Sequence, residues 1–206
     1  AENPNLPPPR LILAGFYIKA GDRRSAREIL EKLAGEEPKH PQLFLSLVDL
    51  AMMEGRLADA DAHLQLVEQQ GIPSHWEDKE KNWLQAAILS NKIAIAERRE
   101  NWRDASAMLA KRVQLAAKYV GLRQRWANAL FASEQLEKAF EQLDIAYRQQ
   151  PHLNPPEVAM GVLYVGKGEF EEAEPWYQKA LKKHSDDPRV FSAWGMALLY
   201  QGRWQE

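Results

Sequence analysis

Apolar residues recur along this chain at i, i+3, i+4 and i+7, the spacing of one face of a helix. Within that pattern an alanine returns at Ala26, Ala60, Ala105, Ala139 and Ala173, at intervals of 34, 45, 34 and 34 residues. Each is followed four residues later by a bulky apolar side chain: Leu30, Leu64, Leu109, Leu143 and Tyr177. Four have another three residues earlier, at Leu57, Trp102, Leu136 and Phe170. Twelve residues upstream of each alanine, in a preceding helical segment, stand Ala14, Val48, Ile93, Ala127 and Gly161. Size is only loosely kept there. Gly21, Gly55, Gly168 and Gly202 mark turns between paired segments, and Glu100 and Glu134 fill the same slot in the middle of the chain.

The pattern predicts antiparallel helix pairs stacked in series. Where helices cross at about 8–10 Å one residue per crossing must be small. A stripe too wide for one pair to bury becomes a continuous core once pairs stack. The longer interval adds eleven residues to the period, about three turns at 3.6 residues per turn, so the buried face keeps its direction. One long helix is therefore expected from Trp76 to about Glu100, capped by Ser74 after the break at Ile72-Pro73. Trp83, Ala87 and Leu84 are expected on its added apolar face, which would form either a docking ledge or a local cap over the neighbouring helix.

The ladder resembles the tetratricopeptide repeat (TPR) family, with its 34-residue unit of two helices, small residues at crossings and a closing proline. Pro38 and Pro151 match that proline, Gly161 with Tyr164 and Trp194 with Gly195 come nearest to the first-helix signature, and Glu171–Leu181 is close to a consensus second helix. Ile72, Ala117 and Ser185 depart from the closing proline. The resemblance covers essentially the whole chain and implies an all-α fold, a right-handed α-solenoid of antiparallel helix-turn-helix units. The units fall near 7–40, 41–85 (with part of the extended helix), 86–119, 120–153 and 154–187, with a partial one at 188–206. Pro4 stands in a closing-proline slot, and Trp204 takes the apolar slot of a second helix just begun after Gly202. The sequence accordingly reads as a piece of a longer array.

Composition narrows the chemistry. With 45% hydrophobic and 27% charged residues the chain of 206 is globular rather than disordered. A net charge of −2 supplies no overall attraction to nucleic acid or anionic lipid. The absence of cysteine excludes disulfides, thiolate metal sites and a cysteine nucleophile. It leaves the compartment open, cytoplasm or bacterial periplasm. The longest apolar run, Leu11–Ile18, is far short of the roughly 20 residues that span a bilayer, so no membrane insertion of this segment is expected.

Nor is a catalytic, metal or cofactor site expected. Gly166-Lys167-Gly168 lacks the spacing of a phosphate loop. Asp59, Asp61 and His63 superficially resemble ligands, but acidic residues in a helix's first turn are what its dipole favours. His40, His152 and His184 fall in inter-unit loops. Trp102, Trp126, Trp194 and Trp204 occupy apolar slots of the repeat; of Trp76, Trp83 and Trp176, Trp76 is the one expected to be partly exposed.

The resemblance implies that first helices line a concave surface that takes ligands. The candidate partner-binding residues there are Asp49, Asn91, Arg98, Gln124, Arg125 and Asn128, in a polar stretch shared with Ser46, Ser90 and Glu97. Val158, Val162, Val165, Met196 and Tyr200 form an apolar flank. A hydrogen-bonding groove beside an apolar flank suits a peptide, so a non-catalytic protein–protein interaction scaffold with a protein or peptide partner is expected. Chaperone-binding relatives clamp a terminal carboxylate; Asn91 and Arg125 match their pattern, whereas Leu45, Asp49 and Gly121 do not, and Asp49 would repel the charge. Two alternatives are a structural spacer in a larger protein and a nucleic-acid-binding array. For the latter, residues 92–125 hold nine basic side chains against three acidic ones. Spread over both helices of a unit, these do not make the single cationic face that phosphate binding needs, which disfavours nucleic acid.

Overall fold

The computed structural model describes residues 7–38 and 40–202, and within them every regular element is helical. The expectations for Pro4 and Trp204 lie outside the described residues. The chain divides into two compact units, Ala1–Asn101 and Trp102–Glu206. The first holds α1 (Pro9–Ala20), α2 (Arg23–Glu36), α3 (Pro41–Met53), α4 (Leu57–Gln70) and α5 (Asp78–Arg98). The second holds α6 (Trp102–Leu115), α7 (Val120–Ala132), α8 (Leu136–Gln149), α9 (Pro156–Lys167), α10 (Phe170–Lys183) and α11 (Pro188–Tyr200).

Helix starts follow from local chemistry. Proline opens α1, α3, α9 and α11, where its fixed φ suits the first turn and its missing N–H costs nothing. Asp22 caps α2, its Oδ1 accepting from the Ser25 amide at 3.1 Å. Ser74 does not cap α5. The Trp76 amide closes a turn onto the Pro73 carbonyl at 3.1 Å, which uses up the residues around Ser74. Glu77 becomes the cap, and the Glu80 side chain accepts its backbone N–H at 2.9 Å.

The turns are one device repeated. Gly21, Gly55, Gly168 and Gly202 have φ between 73° and 82°, and Glu100 and Glu134 adopt the same left-handed backbone at 56° and 63°. The next amide then reaches back to the last turn: Asp22 to Tyr17, Arg56 to Ala51, Asn101 to Ala96, Gln135 to Leu130 and Glu169 to Tyr164, all at 2.8–3.0 Å. This bond satisfies a carbonyl that the helix end would otherwise orphan.

The alanine ladder lies in the core. Ala26, Ala60, Ala105 and Ala139 are wholly buried and Ala173 nearly so; the apolar residues four places on are buried with them. In the first unit Leu30, Leu43, Leu50, Leu64 and Leu84 are fully enclosed, each worth about 1.5–3 kcal/mol of transfer free energy. In the second unit Phe131 meets Tyr164 edge-on at 4.7 Å, and Tyr177 stacks on Trp194 at 6.3 Å. Phe140 stacks on Trp176 at 5.5 Å. The added face of α5 corrects the sequence expectation: Leu84 is enclosed and Ala87 packs beside it, whereas Trp83 is 46% exposed and leans on the half-buried Trp76. Leu84 stands eleven residues before Ile95 and so shares its face; Trp83 is about 100° around the helix from it.

Candidate functional site

In the first unit the anticipated polar residues lie on α3 and α5. Asp49 is open to water, yet the protein around it disfavours the charged form and raises its carboxyl above the ordinary carboxylate value. Asn91 is half-buried and donates from Nδ2 to the Ala87 carbonyl at 3.2 Å. Ser46 and Ser90 likewise donate to the carbonyls of Gln42 (3.0 Å) and Ala86 (2.8 Å), each one turn back in its own helix. Arg98 is exposed at the end of α5. Ser46, Ser90 and Asn91 are thus engaged by their own helices.

The second unit arranges its residues differently. Gln124 and Asn128, one turn apart on α7, line a cavity of about 550 Å³. Asn154 and His152, from the loop after α8, stand at its polar side; Leu143 of α8 and Val162 and Leu163 of α9 supply apolar surface. Arg125 is adjacent in sequence to Gln124 but lines a separate cavity. Of the expected apolar flank, Val162, Met196 and Tyr200 are exposed, and Val165 is partly buried against the core. Val158 is fully buried, because it stands three residues before Gly161 and shares the inward face of α9 with it.

Sequence reasoning read His152 only as a loop residue and Asn154 only as the start of a unit. Their return to the α7 face is set by the length of the α8–α9 loop and its Pro155-Pro156 exit, not by any local pattern. The remaining chemistry is structural. Asp59 pairs with Arg56, and Asp61 with Arg99 at 3.3 Å, which accounts for two of the superficial ligand residues. Burial lowers the pKa of His63 and His40, so both favour the neutral imidazole. Within the basic stretch, Lys92 meets Glu68 at 2.6 Å and Arg123 donates to Gln142 at 3.0 Å. Trp126 donates to Ser106 at 3.1 Å, a packing role.

Tetratricopeptide repeat models match residues 17–71 and 158–189, the first from α1 to just past α4 and the second covering α9, α10 and the start of α11. The chain carries tetratricopeptide repeats in both of these segments. Its fold is similar to that of YrrB, a TPR protein with an unusual peptide-binding site, at 15% identity over 90% of each chain and a TM-score of 0.62. A MamA fragment (41 to the end) from Desulfovibrio magneticus RS-1 is similar at 18% identity, over 86% of this chain and 95% of that one, with a TM-score of 0.62. A further MamA structure gives 18% identity, 87% and 92% coverage and a TM-score of 0.61. No curated protein matches the sequence. Among the described residues no helix of this TPR chain is long and apolar enough to cross a membrane.

Proposed function

We propose that this TPR chain is a non-catalytic protein–protein interaction scaffold that holds an extended peptide in the α7–α9 cavity. The carrying observation is that Gln124 and Asn128 share a cavity of about 550 Å³ with Asn154 and an apolar wall containing Val162 and Leu163. An amide side chain offers a donor and an acceptor together, the pair a peptide backbone presents. The apolar wall takes an alternate side chain of the ligand, and YrrB, which shares the fold, binds a peptide. Asp49, Asn91 and Arg98 belong to the first unit and Arg125 lines a separate cavity, so none of the four enters this reading.

The test is selection of binders from a random twelve-residue peptide library displayed on phage, followed by calorimetric titration of the best sequence. Replacing Gln124 and Asn128 together by Ala should weaken binding by about ten- to a hundredfold, since each lost hydrogen bond is worth roughly 0.5–1.5 kcal/mol. Melting should be unaltered, because both side chains face solvent rather than core. Unchanged affinity in the double variant would remove the cavity from the recognition site.

A further inference from the structure

Arg125 opens onto a second cavity of about 630 Å³, formed by the end of α6, the α6–α7 loop, the start of α7 and the end of α8. Its lining holds three cations, Arg112, Lys118 and Arg125, together with Tyr119, Gly121 and Gln150, and not one carboxylate. Arg112 carries a buried Nε without a hydrogen-bond partner. A guanidinium pairs best with anionic oxygens. The first turn of α7 has no acidic residue, and the Tyr119 side chain makes no capping bond, so the positive end of that helix adds to the same field. Beside these charges Tyr119 is 70% exposed, an amphipathic ring.

We infer that this cavity is a second binding site, distinct from the amide-lined one, for an acidic segment of a protein partner. Carboxylates of the segment pair with Arg112 and Lys118, and an adjacent aromatic or aliphatic side chain lies on Tyr119. The geometry favours a protein over a nucleic acid. A phosphate backbone needs cations spaced along a track, whereas here they converge on one concavity of a size that takes a few side chains. Gly121 contributes room rather than backbone freedom: it lies in ordinary helical conformation, and a Cβ added to it meets nothing within 4 Å.

That room supplies a decisive variant. Gly121→Glu places a carboxylate inside the cavity, in a first helical turn where the dipole welcomes it, so the fold is retained or stabilised while the site is neutralised. The probe is a fluorescein-labelled, end-capped peptide of alternating Glu and Phe, read by anisotropy against the whole chain. A Gln-for-Glu peptide of the same length and a mixed-sequence single-stranded oligonucleotide serve as comparison probes. The acidic peptide should bind and the Gln peptide should not. Affinity should fall at least tenfold in Gly121→Glu and in Arg112→Gln/Lys118→Gln, with no drop in melting temperature for Gly121→Glu. Gln124→Ala/Asn128→Ala should leave it unchanged, which separates this site from the first. Equal binding of the Gln peptide, full affinity in Gly121→Glu, or tighter binding of the oligonucleotide than of the acidic peptide would each overturn the inference.

Discussion

Gly161 and Tyr177 show how one repeat slot adjusts to another. A Cβ built on Gly161 lies 2.7 Å from the Tyr177 ring, closer than real contacts allow. The same two slots hold Ala14 with Leu30, Val48 with Leu64 and Ala127 with Leu143. Tyrosine at the bulky slot is thus matched by glycine at the small one. Gly161→Ala should cost about 1–3 kcal/mol by overpacking. In a Tyr177→Leu background the same substitution should cost almost nothing; a double-mutant cycle from urea denaturation reads the difference. Equal costs in both backgrounds would break the pairing. The loosely kept size of the upstream slot, visible along the sequence, has its reason here, but the reason needed coordinates: nothing local to Gly161 reports a ring sixteen residues on.

Glu157 is the other residue whose role was illegible. It is 5% exposed near the start of α9, with Lys183 Nζ at 2.8 Å from one carboxylate oxygen and His184 Nε2 at 3.4 Å from the other. Burial by itself would raise its pKa. The hydrogen bond and charge of Lys183, the Glu157 backbone amide and the His184 side chain outweigh that and hold it below the ordinary value of 4.5. A lowered carboxylate pKa stabilises the fold above the unfolded value, and that stability is lost as pH falls through the folded value. Stability should therefore decline as pH falls below the ordinary value of 4.5, and Glu157→Gln should flatten this part of the curve while lowering stability at pH 7 by about 1–3 kcal/mol. Thermal melts of both proteins across that range check the slope. An unchanged slope would exclude Glu157 as its source.

At the scale of elements, the turns carry the repeat more faithfully than any side chain. Glu100 and Glu134 take the left-handed backbone used by four glycines, at a cost of about 1–2 kcal/mol for an L-residue, part of which glycine would return as unfolded-state entropy. Glu134→Gly should accordingly raise stability by roughly 0.5–1 kcal/mol, seen as a higher urea midpoint at constant m-value. A lower midpoint would mean that the Glu134 side chain contributes more than its backbone costs. Glycine at four of these turns and proline at the starts of α3 and α11 were visible in the sequence, whereas α7 begins at Val120 without a proline. Sequence reasoning missed the cap of α5, since Ser74 is a good capping residue already used inside a tight turn. It also put Trp83 on the buried face of α5, because hydrophobicity does not say which of two adjacent apolar residues turns inward. The phase shared by Leu84 and Ile95 decides that.

For the molecule as a whole, the fold was legible and the site only in part. A repeat announces itself by self-similarity, and a core needs nothing more than apolar residues in phase. Cavities depend on loops returning from elsewhere in the chain. Gln124, Arg125 and Asn128 were visible as one polar stretch, yet the structure divides them between an amide-lined cavity and a cationic one. Asn91, expected beside them, gives its donor to Ala87. On the two proposals above, the second unit offers two ligand chemistries: backbone-like hydrogen bonding at Gln124 and Asn128, and carboxylate binding at Arg112 and Lys118.

The most direct test of the peptide-scaffold reading is hydrogen–deuterium exchange, followed by mass spectrometry, on the chain with and without its best library-selected peptide. Protection should appear in segments spanning residues 124–128 and 152–163, the two sides of the amide-lined cavity. Protection confined to other segments, with these two unchanged, would contradict it.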